Sequence, residues 1–243
     1  MQNKERIDIV LVEKGLAPSR ERAKALIMEG IVFVNNQKCD KAGTFVKPDD
    51  TVEVRGKTLK YVSRGGLKLE KAISNFNIAL NNCICADIGA STGGFTDCML
   101  QNGAVKVYSV DVGTDQLDEK LRNDPRVVSM EKTDIRNCVG ALPAVDFIGI
   151  DVSFISLKLV LPSAYALLKD GGECVALIKP QFEAGKSHLS KHGIVRDSKV
   201  HKKVCDDISE FASTLGFERG EVISSPITGG DGNTEYLIYL RRL

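Results

Sequence analysis

Nowhere does the sequence hold about 18 consecutive apolar residues, the length a helix needs to cross a bilayer, so no membrane span is expected. It has no C-x-x-C pair either. Its seven cysteines, at 39, 83, 85, 98, 138, 174 and 205, are odd in number, and several sit inside apolar, strand-like runs. Cysteine in such a run is usually a small buried hydrophobe. The pattern argues against a zinc site and a disulfide framework and favours a reduced, cytoplasmic chain. The opening residues, M-Q-N-K-E-R-I-D-I-V, lack an apolar signal core and carry acids, so secretion is not expected. His188 and His192 are four apart, but no Cys or acid cluster accompanies them, and a metal site is not expected there. Also missing is the G-x-G-x-x-G spacing of dinucleotide-binding turns.

What is present fits a globular chain with a real core: 43% hydrophobic and 27% charged residues over 243 positions. That length allows one large domain, or a medium domain with a small one. The net charge of +1 is unevenly spread. Residues 1–70 hold 14 Lys and Arg against 10 Asp and Glu, whereas 71–243 hold 19 against 22. A polyanion would therefore favour the N-terminal segment.

Residues 83–95, C-I-C-A-D-I-G-A-S-T-G-G-F, organise the rest. A short apolar run ends in Asp87 and passes into a loop with Gly89, Gly93 and Gly94, followed by helix-forming residues. In an open α/β sheet, ligands bind outside the carboxyl ends of the strands, and glycines there let a cofactor approach the backbone. The order D-x-G-x-S-x-G-G is similar to the first motif of S-adenosylmethionine-dependent methyltransferases. An ordinary glycine-rich βα turn is the alternative.

Upstream, residues 6–14 put Ile7, Val10 and Leu11 on one helical face, and Gly15 can end that helix. Pro18 and Ser19 open a second helix to about residue 28, with Ser19 as N-cap; Arg22, three residues on, denies it a full capping box. A β-branched run over 31–34, a turn at Asn35 and Asn36, and a strand over 51–54 follow. The string S-R-E-R-A-K-A-L-I-M-E-G-I-V-F-V-N resembles the S4 RNA-binding domain, over residues 5–55. The resemblance implies that Arg20, Arg22 and Lys24 face RNA phosphates, where cations on a rigid helix release counterions. On charge alone, a solvated helix face is the better explanation; the whole helix–helix–hairpin pattern reverses that preference. The expected organisation is an S4-like domain over 1–58, a linker over 59–63 and a larger domain over 64–243.

Within the larger domain a helix starts at Leu67, with Leu69, Ile73 and Phe76 on one stripe. Strands are expected over 83–88, 105–110, 126–130, 145–151 and 173–178, with helices over 94–102, 115–122 and 155–168 between them. A longer helix over 198–215 and strands over 217–224 and 234–241 close the chain. The alternation implies a mostly parallel sheet, and the short link 225–233 implies an antiparallel last strand. This α/β plan, a mostly parallel seven-stranded sheet beside a small α+β domain, resembles the Rossmann-like methyltransferases.

Charges fall where the apolar strands end. Asp111 ends the second strand, 22 residues past Gly89, where an acid can accept hydrogen bonds from ribose hydroxyls. Asp134 and Ile135 follow the third strand and could flank an adenine, or Asp134 could simply cap a turn. Asp151 and Lys179 sit at the tips of the fourth and fifth strands. Glu235 opens the antiparallel last strand, which brings it to the same rim. Lys68 lies on the helix leading into the sheet. Charged residues are rarely buried unless paired, so four of alternating sign at one edge read as a constellation rather than as two surface salt bridges.

The set Lys68, Asp151, Lys179 and Glu235 is similar to the K-D-K-E tetrad of FtsJ-type RNA ribose 2′-O-methyltransferases. With S-R-G-G-x-K, D-I-G-A-S-T-G-G-F, I-D-V-S-F and I-K-P-Q-F-E, nearly the whole chain resembles the TlyA family, which joins an S4 domain to an FtsJ-like domain. The resemblance implies transfer of a methyl group from S-adenosylmethionine to a cytidine 2′-hydroxyl of ribosomal RNA; some family members also carry the name hemolysin. It implies a cofactor site at Asp87, Gly89, Ser91, Thr92, Gly93, Gly94, Phe95, Asp111, Val112, Asp134, Ile135 and Asp151. Such a transfer needs oxygen, carbon and sulfur held in line and the hydroxyl proton removed or shared. Lys179 is the expected base or oxyanion-stabilising cation. Asp151 would steer it, Lys68 would assist and orient the nucleotide, and Glu235 would hold the second lysine or the ribose.

The link over 183–204 is long and basic, and a long loop at an active-site rim is often a lid. Its Lys186 and Lys191, with Arg64, are expected at RNA phosphate. A base N-methyltransferase is the near rival, but its D/N/S-P-P-Y/F/W signature is replaced by Asp151-Val152-Ser153-Phe154, without prolines. A membrane-lytic protein would need a long amphipathic or apolar segment, and the apolar residues here are used in strands. Oligomeric state is not legible.

Overall fold

Strand and helix alternate through most of the chain, and the computed structural model resolves that alternation into two compact units, Met1–Thr58 and Leu59–Leu243. Residues 4–17, 19–28, 30–55, 60–229 and 232–243 are described, residue 219 by its backbone only. Pro18 and the first residue of the expected linker, Leu59, lie outside the described residues.

The smaller unit contains β1 (Glu5–Arg6), α1 (Ile7–Glu13), α2 (Arg20–Met28), β2 (Val32–Val34), β3 (Gln37–Lys38), β4 (Phe45–Val46) and β5 (Val52–Val54). β1 pairs with β4, and β3-β2-β5 form a second antiparallel sheet. Ile7, Leu11, Ala23, Ile27 and Val32 form its core. Ser19 caps α2, its Oγ accepting from Arg22 N at 3.2 Å. Asn35 and Asn36 both adopt positive φ, 49° and 66°, which suits the tight turn joining β2 to β3. Asp8 stands beside that core although it is charged. It is fully buried, and it accepts from Arg6 Nε at 2.9 Å and Arg20 Nη2 at 2.8 Å. The Arg6 hydrogen bond, more than any other factor, draws its carboxyl down to about 2. Arg20 therefore has a structural partner, while Lys24 is exposed and Arg22 half-buried on the same helix.

The larger unit runs α3 (Gly65–Phe76), β6 (Ile84–Ile88), α4 (Gly94–Gln101), β7 (Lys106–Val110), α5 (Glu119–Arg122), β8 (Val127–Met130), β9 (Val145–Ile150), α6 (Leu157–Leu167), β10 (Leu168–Ile178), α7 (Pro180–Glu183), α8 (Ser198–Thr214), β11 (Phe217–Ser224) and β12 (Tyr236–Arg242). Its seven-stranded sheet has the order β11-β12-β10-β9-β6-β7-β8. β12 is antiparallel to both neighbours, and the other recorded pairs are parallel. Alternate strand residues bury on opposite faces. Ile148 and Ile150 pack with Leu157, Leu161 and Ile208, whereas Phe147 and Val175 pack with Leu69, Phe95 and Met99.

Three expectations change. The helix expected over 115–122 shrinks to α5, because Asp115 takes φ +52° and Asp118 caps α5 through Lys120 N. β10 begins at Leu168 rather than 173, with a register shift between Leu168 and Glu173. In the expected linker, Tyr61 is buried in the core of the larger unit, and Val62 N donates to Asp97 Oδ2 at 2.9 Å. Two apolar residues in succession bury more readily than they bridge solvent. No helix among the described residues is long and apolar enough to cross a membrane. Nor do the described residues contain a group of three or more His, Cys, Asp or Glu able to hold a metal, and all seven cysteines are free.

Asp8→Ala should lower the unfolding free energy of the smaller unit by about 1–3 kcal/mol, read by urea denaturation of the full chain. Because the folded carboxyl is held low, its stabilisation is complete above the unfolded value near 4 and fades as pH falls toward about 2. The difference between Asp8→Ala and the parent should shrink over that window.

Candidate active site

Strand order reverses beside β6, which pairs with β7 on one flank and β9 on the other. Open α/β sheets bind ligands outside the strand ends at such a switch point. Asp151 N, at the tip of β9, donates to Ile88 O at 2.9 Å. Gly89 takes φ +82°, and a Cβ on it would lie 2.5 Å from Asp151 O. Its lack of a side chain thus lets the loops after β6 and β9 touch, a role in addition to the expected cofactor approach. Gly93 borders neither cavity described below. It takes φ +95°, and a Cβ there would lie 2.3 Å from Leu121 Cδ1, so it serves turn and packing.

The four expected charged residues converge. Ile178 and Tyr236 are opposite each other in the β10–β12 ladder, which sets Lys179 beside Glu235 at the rim. Lys68 projects from the first turn of α3. Lys179 Nζ lies 2.6 Å from Asp151 Oδ1, Lys68 Nζ lies 3.3 Å from Asp151 Oδ2, and Lys68 Nζ lies 2.8 Å from Glu235 Oε2. The last contact is an ion pair without hydrogen-bond alignment. Lys179 Nζ also donates to Ser153 Oγ at 2.8 Å. The charges thus form a chain, Lys179–Asp151–Lys68–Glu235. Lys68 and Lys179 are 8% exposed and Glu235 is 3% exposed. Ions this far from water persist only when paired.

The chain borders a cavity of about 560 Å³ that also meets Arg64, Asp87, Gly89, Ser91, Thr92, Gly94 and Phe95. A second cavity, about 300 Å³, is bordered by Asp111, Val112, Asp134 and Ile135 and shares Gly89, Ser91 and Asp151 with the first. Asp87 is fully buried. Its Oδ2 accepts from Thr96 N at 2.8 Å and Thr96 Oγ1 at 2.7 Å, while its Oδ1 has no partner. Burial pushes its carboxyl up to about 7. Asp111 accepts from Ser91 N and Gly113 N, one on each oxygen at 2.7 Å, which leaves each oxygen further acceptor capacity. Asp134 caps the short turn Ile135–Asn137 and pairs with Arg136, 2.6 Å from its Nη2, so the capping alternative is realised. Val112 is 74% exposed at the mouth of the smaller cavity.

Several residues here were not among the expected site residues. Phe154 takes φ +64° and is 91% exposed, with its ring 5.1 Å from that of Phe182. Positive φ in a bulky residue is uncommon and marks strain that its surroundings must hold. Glu183 accepts from Ser156 Oγ at 2.6 Å and Leu157 N at 2.8 Å, which ties α7 to the start of α6. Gln181 borders the larger cavity with its Oε1 buried and unpartnered. The available signal was the pair of strings I-D-V-S-F and I-K-P-Q-F-E, whose members meet in order: 151 and 153 with 179, and 154 with 182; Ser156, two residues past the first string, meets Glu183. Lys186 and Lys191 are exposed on the basic link and do not border the cavity, whereas Leu189 and Gly193 of that link do. Arg20, Arg22 and Lys24 belong to the smaller unit.

Comparison with known proteins agrees with this architecture. The FtsJ-like methyltransferase family matches residues 61–242, and the S4 domain matches residues 5–52. YqxC of Bacillus subtilis (strain 168) is 52% identical over 98% of this chain and 85% of its own. The 16S/23S rRNA (cytidine-2′-O)-methyltransferase TlyA of Mycobacterium tuberculosis (strain CDC 1551 / Oshkosh) is 39% identical over 99% of this chain and 91% of its own. A solved Streptococcus thermophilus chain described as a hemolysin candidate is 48% identical, covers 100% of this chain and 90% of its own, and superposes with a TM-score of 0.78. With an S4 domain ahead of an FtsJ-like domain and full-length relatives of this kind, the chain belongs to the TlyA family of FtsJ-like methyltransferases.

Proposed function

We propose that this protein transfers a methyl group from S-adenosylmethionine to the 2′-hydroxyl of a cytidine in ribosomal RNA. The observation that carries the reading is the nearly buried Lys179–Asp151–Lys68–Glu235 chain on the wall of the larger cavity. The M. tuberculosis relative's name supplies the acceptor.

The residues present suit the cofactor. Asp87 Oδ1 is a buried acceptor without a donor, which a methionine ammonium would satisfy. Asp111 retains capacity for ribose hydroxyls, and Val112 and Ile135 give the smaller cavity apolar walls for an adenine. Bound there, S-adenosylmethionine would supply an electrophilic methyl group. As a neutral amine, Lys179 would take the proton of the attacking hydroxyl, and Asp151, 2.6 Å away, would hold the ammonium so formed; as an ammonium it would instead steady the forming oxyanion. Lys68 would keep Asp151 in place and, with Glu235, orient the ribose, a positioning task that in-line transfer requires. Phe154 and Phe182 offer an aromatic face to the base of an unstacked nucleotide. In the smaller unit, exposed Lys24, half-buried Arg22 and the part of the Arg20 guanidinium not committed to Asp8 would add phosphate contacts.

Labelled methyl from S-adenosylmethionine should appear in alkali-resistant dinucleotides when the protein acts on unmodified ribosomal subunits. Lys179→Ala should cut that transfer by about 10²-fold or more while cofactor affinity changes little. Label on a base instead would replace the ribose reading with N-methylation.

Cofactor affinity should rise with pH. Below about 7 the Asp87 carboxyl is protonated in the free protein, and an ammonium at Oδ1 favours the carboxylate, so binding expels a proton. Titration calorimetry should show affinity falling by up to about tenfold per pH unit below 7 and levelling above it. Asp87→Asn should bind more weakly above pH 7 and lose this pH slope.

A further inference from the structure

We infer that Asn233 and His201 are positioning residues that hold the basic link after α7 in place as one wall of the larger cavity. What that wall is for rests on the RNA methyltransferase reading; the grip itself does not. The link exposes Lys186, His188, Lys191, His192 and Arg196, while Leu189 and Gly193 border the cavity. The link's own backbone hydrogen bonds, such as Leu189 N to Lys186 O and Ser190 N to Ile194 O, close local turns, so contacts from outside it decide how firmly it is held against the rest of the unit.

Two buried polar side chains from different parts of the fold anchor it. Asn233 is 2% exposed. Its Nδ2 donates to Gly193 O at 3.2 Å, and its Oδ1 accepts from Val195 N at 3.3 Å, so both ends of one carboxamide hold the same stretch. His201, in the first turn of α8, is also buried. Its Nε2 lies 2.9 Å from Val195 O, and its Nδ1 lies 2.8 Å from Tyr236 Oη. A carbonyl only accepts, so Nε2 donates to Val195 O, while Nδ1 and the tyrosine hydroxyl share the second hydrogen bond. Val195, itself buried, is the point both residues share.

The other side of the grip is the stretch that supplies the tetrad carboxylate. Asn233 and Tyr236 flank Glu235, and Tyr236 pairs with Ile178, next to Lys179. Neither Asn233 nor His201 borders either cavity or touches the four charged residues. Their effect on the reaction therefore passes through the link: they fix its outward cations for an RNA backbone while its inner residues wall the cavity.

The test uses Asn233→Ala and His201→Phe in the full chain, with His201→Gln retaining a donor toward Val195 O. In both disruptive variants, limited trypsin cleavage after Lys186, Lys191 and Arg196 should rise about tenfold, since cleavage of a native chain tracks local opening. KM for unmodified ribosomal subunits should rise about tenfold, with kcat and S-adenosylmethionine affinity within about twofold. His201→Gln should stay near the parent on every measure. Unchanged cleavage overturns the grip, whatever the true substrate. Loss of cofactor affinity or kcat along with KM overturns the positioning role, because it would mean damage to the tetrad or the fold. Faster cleavage in the variants, with no methyl transfer by the parent, upholds the grip and overturns the RNA reading.

Discussion

Four charges brought together almost out of water are the constraint on which the rest of the larger unit depends. Groups of opposite charge at such depth offset the cost of leaving water by pairing with one another, which requires that they stay close to contact. Each belongs to a different part of the chain: a helix ahead of the sheet, the tips of two parallel strands, and the start of an antiparallel strand. The antiparallel insertion of β12 between β10 and β11 is what makes this possible. A parallel strand in that place would have carried Glu235 to the opposite rim. Lys68 is the member with two anionic partners, so the chain of charges breaks in the middle without it.

Asp151 is the node. Its carboxylate meets both lysines, its amide closes onto β6, and its carbonyl occupies the space that a side chain on Gly89 would fill. The loop expected to cradle the cofactor and the acid expected to steer the base are thus one mechanical piece. Three residues on, Phe154 holds a backbone conformation costly for an aromatic, with Phe182 against its ring and the Glu183 clamp on Ser156 just beyond it. Preorganisation of this kind favours a positioning reaction, in which the chemistry asks little of the protein beyond geometry and one proton acceptor.

Much of this was legible because the governing signals are local. Apolar runs that end in a charge announce strand tips, and the short link before β12 announces its direction, so the four rim charges can be assembled on paper. The misses are non-local. Asp8 sits among charged and apolar residues that read as an ordinary amphipathic face, and only the return of Arg20 from the next helix explains its burial. The helix over 115–122 has acceptable composition, but the backbone at Asp115 and the cap at Asp118 stop it. Glu183, Asn233 and His201 acquire meaning only across contacts between segments distant in the chain, which have no period in the sequence.

A sheet of this order is shared by enzymes that methylate very different acceptors, so the fold alone leaves the acceptor open. The rim narrows it. An enzyme that methylates a base amine must grip that amine and has little need of a buried lysine beside the acid after the fourth strand of its sheet. Here that acid is spoken for by two lysines, and the residues that follow it are Val152 and Ser153, not prolines. Ser153 accepts from Lys179, and so belongs to the lysine's own environment rather than to an amine clamp. An alcohol acceptor is a poor nucleophile until its proton is shared or removed, whereas an amine can attack first and release its proton afterwards. Lys179, held by one carboxylate and one hydroxyl and bordering the cavity, is the residue we propose for that role.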